Sequence, residues 1–274
     1  MAQNSHLKNK PIIDLRAALL YQSGHLAGAT NIPFDEIDHC WHELPPKGSE
    51  LSLCVCESQL ISAKQLFARQ HYPITEIYIA EQLSPENLVT NPQSQRLWKA
   101  NPLLEEYITL IKQYLPANAL AIDIGCGSGR DSVFLGLQHM KVLALDNNDL
   151  ALERLSYFSK RWQVDVEPMT LDCEAESQAL STLIKERKPQ LIVQSRYLHR
   201  PLLPIYRDSL QAQSMIAIHT FFEEAAQFGK PKNPAFLLAR NELADCFSGW
   251  NIILDEQHYL SDGRPLSMFL AQKP

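Results

Sequence analysis

The residues best suited to do chemistry in this 274-residue chain form one short run, Asp123-Ile124-Gly125-Cys126-Gly127-Ser128-Gly129, which ends the apolar stretch 119–124. Glycine allows backbone angles and close approaches that a side chain would block. A helix opening near Gly129 adds unpaired amide groups and the positive end of a dipole. A turn of this kind can cradle an anion such as a carboxylate or a phosphate. Asp146 and Asp172 then close two further apolar runs. Ligands of open α/β sheets bind outside the carboxyl ends of the strands, where all three aspartates are expected to lie. A single aspartate there reads equally well as a helix cap. Three at successive strand ends, next to a glycine turn, point to a site.

The rival for such a turn is a dinucleotide, whose fingerprint asks for a third small residue where this chain has Arg130. Asp146 is placed to accept hydrogen bonds from two ribose hydroxyls, and Asp172 stands where an adenine amino group could be read. Asp123 can order the turn or attract an ammonium. The run Ile122-Asp123-Ile124-Gly125-Cys126-Gly127-Ser128-Gly129-Arg130-Asp131 resembles the first motif of class I S-adenosylmethionine-dependent methyltransferases, and its Cys-Gly-Ser-Gly-Arg-Asp form is similar to that of the tellurite-resistance methyltransferase group. The resemblance covers residues 96–272. It implies a Rossmann-like, seven-stranded sheet and S-adenosyl-L-methionine as cofactor, with contacts at Asp123, Gly125, Gly127, Asp146 and Asp172. The expected set extends to Cys126, Arg130, Asn147, Cys173 and Gln194, with the two cysteines packing there without reacting.

In folds of this kind the loop after the fourth strand faces the transferred methyl. Here it reads Gln194-Ser195-Arg196-Tyr197-Leu198-His199-Arg200-Pro201. It lacks the Asn/Asp-Pro-Pro-aromatic motif of many amino-methylating enzymes, which disfavours DNA or protein amides as acceptors. His199 is a candidate proton acceptor, and Arg196 and Arg200 are candidate clamps for an anion. The alternative is a helix-capping histidine and two structural ion pairs. Residues 228–234, rich in Gly and Pro, read as an ordered loop over the site, and Trp98 and Pro102 as another wall. A sulfonium already activates its methyl group, so the protein has to align the nucleophile and exclude water. A base is required only for a protonated acceptor. A thiolate or a chalcogen oxyanion needs none.

The elements that position these residues follow from periodicity. Apolar runs at 119–124, 141–145, 164–171, 190–194 and 214–220 read as strands. Residues 105–114, 130–140 and 150–162 read as helices. Residues 250–256 and 266–272 flank Asp262-Gly263, a hairpin signal that ends the parallel sheet with antiparallel strands. An earlier unit has strands at 11–15, 51–56 and 74–80 and a helix at 61–71, which implies a small parallel α/β sheet. The polar stretch 84–95 reads as a linker. The expected domains are 1–90 and 96–274.

Ile12-Ile13-Asp14-Leu15-Arg16 and Gly24-His25-Leu26-Ala27-Gly28-Ala29-Thr30-Asn31-Ile32-Pro33 resemble the two leading motifs of rhodanese-like domains. That resemblance puts Cys56 at the persulfide-carrying position, with His25 supporting its turn. The following run, Glu57-Ser58-Gln59-Leu60-Ile61-Ser62, departs from the family by lacking a Gly and an Arg. Glu57 adds negative charge, which raises a thiol pKa. A degenerate structural or recognition module is therefore favoured over an active sulfurtransferase.

The net charge of −6 and the absence of a Lys/Arg run give no nucleic-acid footprint. Residues 1–11 are polar and no run is long enough to span a bilayer, so the expected compartment is the cytoplasm. Six scattered cysteines, at 40, 54, 56, 126, 173 and 246, read as reduced thiols. Asp38-His39-Cys40-Trp41-His42 lacks the second ligand pair of a zinc site, so no metal is expected. These features lead to methyl transfer to a small molecule. Two further readings stay open: a bifunctional protein using Cys56, and a non-catalytic scaffold that binds S-adenosylmethionine. Oligomeric state is not legible.

Overall fold

A computed structural model describes residues 10–90 and 94–274. The expectations for the N-terminus and for the stretch 84–95 fall partly on residues 1–9 and 91–93, outside the described residues. The chain forms two compact units that divide after Trp98.

The first unit contains β1 (Ile12–Asp14), α1 (Ala18–Ser23), β2 (His25–Leu26), β3 (Ala29–Asn31), α2 (Ile37–Cys40), β4 (Leu51–Val55), α3 (Leu60–Arg69), β5 (Ile74–Ile79) and β6 (Leu88–Val89). A parallel sheet of order β3-β1-β4-β5 forms its centre. All five residues of β4 are buried, Ser52 included, as suits a mostly apolar central strand. Asp14 and Arg16 form a buried ion pair at 2.6 Å behind β1. The stretch 84–95 departs from the linker expectation. It contributes β6, which pairs with β2. Ser94 Oγ accepts from the Asn31 amide at 3.0 Å, and the Gln95 carbonyl accepts from Thr30 Oγ1 at 2.6 Å. Strand β3 is a sheet edge, and these residues satisfy part of it.

The second unit contains α4 (Pro102–Gln113), β7 (Leu120–Ile124), α5 (Arg130–Leu137), β8 (Lys141–Asp146), α6 (Asp149–Trp162), β9 (Val166–Thr170), α7 (Ser177–Arg187), β10 (Leu191–Ser195), α8 (Leu202–Ser209), β11 (Met215–His219), α9 (Glu242–Cys246), β12 (Asn251–Tyr259) and β13 (Pro265–Gln272). Its seven-stranded sheet has the order β12-β13-β11-β10-β7-β8-β9. Strands β7 to β11 pair in parallel, and the last two close the sheet as the expected antiparallel hairpin. The chain runs outward from β7 to β9, then returns to lay β10 on the other side of β7. That reversal opens a crevice between the carboxyl ends of β7 and β10.

Local signals set the helix starts. Asn101 caps α4 by accepting the Leu104 amide at 3.0 Å, with Pro102 in the first turn. Asn148 caps α6 through the Ala151 amide at 3.2 Å. Helix α5 ends at Leu137, short of the expected Met140, because His139 turns left-handed (φ 67°). Helices α7, α8 and α9 lie in segments whose pattern singled out no element. Burial decides the sheet: Ile122, Leu143, Ile192, Ile216 and Phe269 are all fully buried in one apolar core.

Candidate cofactor and acceptor site

The glycine turn leaves β7 and is pinned to the next strand. The Gly125 and Cys126 amides both donate to the Leu145 carbonyl at 2.9 Å, and the Gly127 amide donates to Asp146 Oδ2 at 2.8 Å. Gly125, Gly127 and Gly129 have φ of 69°, 55° and 82°, the left-handed region that glycine tolerates. A Cβ at Gly129 would stand 2.1 Å from Leu155 Cδ1 of α6, whereas one at Gly127 would meet nothing within 4 Å. The turn is thus packed from behind and open in front.

A cavity of about 260 Å³ lies at the crevice. Gly125, Asp146, Asn147, Asp172 and Cys173 line one part of it, and Ser195, Arg196 and Tyr197 from the end of β10 line another. Asp146 holds two backbone amides, with Oδ1 accepting from Asn148 at 2.9 Å. Asp172 Oδ1 accepts from the Glu174 and Ala175 amides, both at 3.0 Å, and Oδ2 from Asn147 Nδ2 at 3.3 Å. These bonds, that from Ala175 foremost, hold its pKa below the ordinary carboxylate value. Asp172 thus stays ionised at neutral pH, and both carboxylates keep lone pairs to spare for a ligand's donors.

A buried carboxyl, Asp123, and a half-buried one, Asp131, lie behind the turn. Asp123 accepts from Ser132 Oγ of α5 at 2.5 Å. Asp131 accepts from the Asn101 amide at 2.8 Å and from Asn101 Nδ2 at 2.7 Å. Burial, then the charge of Asp131, pushes the Asp123 pKa up. Asp131 is also raised by burial, against donors from Asn101 and Ser195 and the nearby Arg196 charge. With those donors on Asp131, Asp123 is the member of the pair that keeps a proton.

The donor set fits S-adenosylmethionine. An open glycine face, Asp146 and Asp172 share one cavity, with room for a polar nucleoside between them. A family model described as Tellurite resistance protein TehB matches residues 97–182. That match and the seven-stranded sheet support a class I S-adenosylmethionine-dependent methyltransferase fold for the second unit. A Schizosaccharomyces pombe protein described as Uncharacterized protein UNK4.09 is 28% identical over 315 residues, covering 95% of this chain and 93% of that one. The structure of TehB from Haemophilus influenzae aligns with a TM-score of 0.50 and 17% identity over 64% of this chain, and the chain spans 62% of that protein's length. A TehB-like SAM-dependent methyltransferase from Corynebacterium glutamicum aligns at TM-score 0.42 and 16% identity, over 61% of this chain and 86% of that one.

Within the second unit, the predicted residues separate by place. Gly125, Asp146, Asn147, Asp172, Cys173 and Arg196 line the cavity. Gly127 faces open space beside it. Asp123 is buried behind the turn, accepts from Ser132 and does not line the cavity. Cys126 is half-buried, and Arg130 points outward at the start of α5. Burial raises both the Cys126 and Cys173 thiols, the latter to about 12, so neither is a thiolate at neutral pH. Gln194 is buried and braces the loop after β10: its Nε2 donates to the Tyr197 carbonyl and its Oε1 accepts from Tyr206, both at 2.7 Å. His199 Nδ1 lies 3.3 Å from Glu174 Oε2, which itself lines the cavity.

Arg200 takes the structural alternative. Its guanidinium forms a two-point pair with Glu242, at 2.6 and 2.9 Å, and donates to the carbonyls of Pro234, Ala235 and Leu237. It anchors a loop instead of reaching the cavity. The loop 228–234 packs against the hairpin turn: Arg264 donates to the Lys230 carbonyl, and the Phe228 ring lies against Gly263.

Sequence reasoning assigned no role to Tyr197, Glu174, Ser195 or His219. Tyr197 covers Gly125 so closely that a Cβ there would stand 3.0 Å from its Cδ1. His219 ends β11 and pairs in register with Ser195. The one signal for it was a polar residue closing the apolar run Met215-Ile216-Ala217-Ile218.

Proposed function

We propose that the protein transfers the methyl group of S-adenosylmethionine to a small molecule that reacts as an anion, a thiolate or a chalcogen oxyanion. The observation that carries this reading is one cavity with cofactor-type carboxylates, Asp146 and Asp172, on one side and the Arg196 side of the β10 loop on the other. The cofactor supplies an activated methyl on a sulfonium. Asp146 would hold the ribose hydroxyls and Asp172 the adenine amino group. Gly127 leaves room for the methionyl part to approach the backbone. Arg196 offers positive charge to an anionic acceptor, and Tyr197 with Gly125 limits water at that end. His199 acts through Glu174, whose orientation it sets. Transfer of radioactive methyl from S-adenosylmethionine to selenite and to dithiothreitol tests the reading. Cofactor binding without turnover on either would favour the scaffold alternative.

The first unit is, in this reading, a rhodanese-like module that no longer carries sulfur. The amide following Cys56, that of Glu57, donates to the Glu81 carboxylate at 3.1 Å, and the Cys56 amide donates to Gln59 Oε1 at the same distance. Burial, then the Glu81 charge, raises the Cys56 thiol. A carboxylate thus occupies the amide that would face a persulfide, which argues against the bifunctional alternative.

A further inference from the structure

We propose that His219 contacts the methyl acceptor, hydrogen-bonding a polar atom of it beside Arg196 and so fixing where it lies. This rests on the methyl-transfer reading above and extends it to a residue outside the β10 loop.

The His219 ring is fully buried, yet neither Nδ1 nor Nε2 has a hydrogen-bond partner among the described residues. Buried polar groups are paired as a rule, and each exception calls for a reason. Packing alone does not supply one, because an aliphatic residue would continue the run Met215–Ile218 without the loss. The position of the ring does. It stands at the carboxyl end of β11, in register with Ser195, and the Arg196 amide donates to the His219 carbonyl at 2.7 Å. Ser195 and Arg196 both line the cavity.

Two side chains bear on the ring, Arg196 and His258 of β12, the latter with its centroid 6.0 Å away. Arg196 is exposed and His258 is half-buried, so a small molecule that parts them meets the imidazole. Burial, then these two neighbours, pushes the ring's pKa down to about 3. It therefore serves as a neutral group, donating at one nitrogen and accepting at the other. It is not the base for the reaction, and an acceptor that is already deprotonated, held by the Arg196 charge and the imidazole N–H, asks for none.

The experiment uses the full-length protein with ¹⁵N-labelled histidine and bound S-adenosylhomocysteine, titrated with selenite and separately with dithiothreitol. Loss of signal in His219→Gln assigns the ring. The expected result is movement of the His219 ring resonances with the probe that the protein methylates. His219→Ala should raise KM for that probe tenfold or more, with kcat and S-adenosylmethionine affinity within about twofold. His219→Gln, which keeps a neutral hydrogen-bonding side chain, should recover most of the loss. Stationary His219 resonances during productive methylation would overturn the proposal, as would an unchanged KM in His219→Ala. Loss of cofactor affinity alongside KM in both variants would make the residue structural and overturn it too. Methylation of neither probe by the wild-type protein overturns the methyl-transfer reading itself, and this inference with it.

Discussion

The Asp146 carboxylate holds the Gly127 amide at 2.8 Å with one oxygen and the Asn148 amide at 2.9 Å with the other. One side chain at the end of β8 therefore fixes both the glycine turn after β7 and the start of α6, while its free lone pairs face the cavity. Asp146→Ala removes the proposed ribose acceptor and the tether of the turn together. S-adenosylmethionine affinity by calorimetry should fall more than tenfold. An affinity within twofold of wild type would remove Asp146 from the cofactor site.

The raised Asp123 carboxyl should make the stability of the protein depend on pH. Its folded pKa lies at about 8, well above the roughly 3.9 of an unfolded aspartate. Between those values the folded state holds a proton that the unfolded state has lost. Stability from this group is full below the unfolded pKa and is lost as pH rises through the folded one. The unfolding free energy should fall between pH 5 and 8 with a slope approaching about 1.4 kcal/mol per pH unit. Asp123→Asn, which cannot ionise, should flatten that slope in urea titrations run across the range. An identical slope in both proteins would show that the carboxyl is ionised when folded.

The parts of the site legible in the sequence are those in which chemistry and position are local. The glycine spacing and the aspartates at strand ends sit within a few residues of the turn, and periodicity alone puts them on one edge of a sheet. Tyr197, Glu174 and His219 were not legible, because their roles come from which strands become neighbours. His219 meets Ser195 only once β11 lies beside β10. Arg200 was open to either reading until the fold brought Glu242, 42 residues on, within reach. The stretch 84–95 misled for the same reason: a polar composition suits a free linker and also a cover for a sheet edge, and only pairing with β2 and β3 distinguishes them.

Gly129 combines a left-handed backbone with a tight approach to Leu155. Gly129→Ala should destabilise the protein by roughly 1–3 kcal/mol from the backbone term, with an overpacking cost of similar size added. The denaturation midpoint in urea reads the sum. Combining it with Leu155→Ala should return part of the steric share and leave the backbone share. Full additivity of the two substitutions would mean that Leu155 moves aside without cost.

The Arg200–Glu242 pair holds the loop 234–237 to the start of α8 through two charge-assisted hydrogen bonds and three carbonyl contacts. Its side chains are 40% and 21% exposed, so solvent screens part of the attraction. A double-mutant cycle of Arg200→Ala and Glu242→Ala should give a coupling of about 1 kcal/mol. Methylation per folded molecule should persist in Arg200→Ala with KM for the acceptor little changed. A KM increase without loss of stability would return Arg200 to the acceptor-binding groups.

Cys56 allows the first unit to be tested through its thiol. Burial and the Glu81 charge both disfavour the thiolate, so alkylation by iodoacetamide should show a midpoint above that of an ordinary cysteine. Glu81→Gln removes the charge beside the Cys56 sulfur and weakens the carboxylate's hold on the Glu57 amide. The midpoint should then move down. Transfer of sulfur from thiosulfate to cyanide should be no faster in wild type than in Cys56→Ser, because the thiolate that would take the sulfur is scarce at neutral pH and the amide that would stabilise the persulfide is engaged. Turnover that disappears in Cys56→Ser would show that the module still carries sulfur.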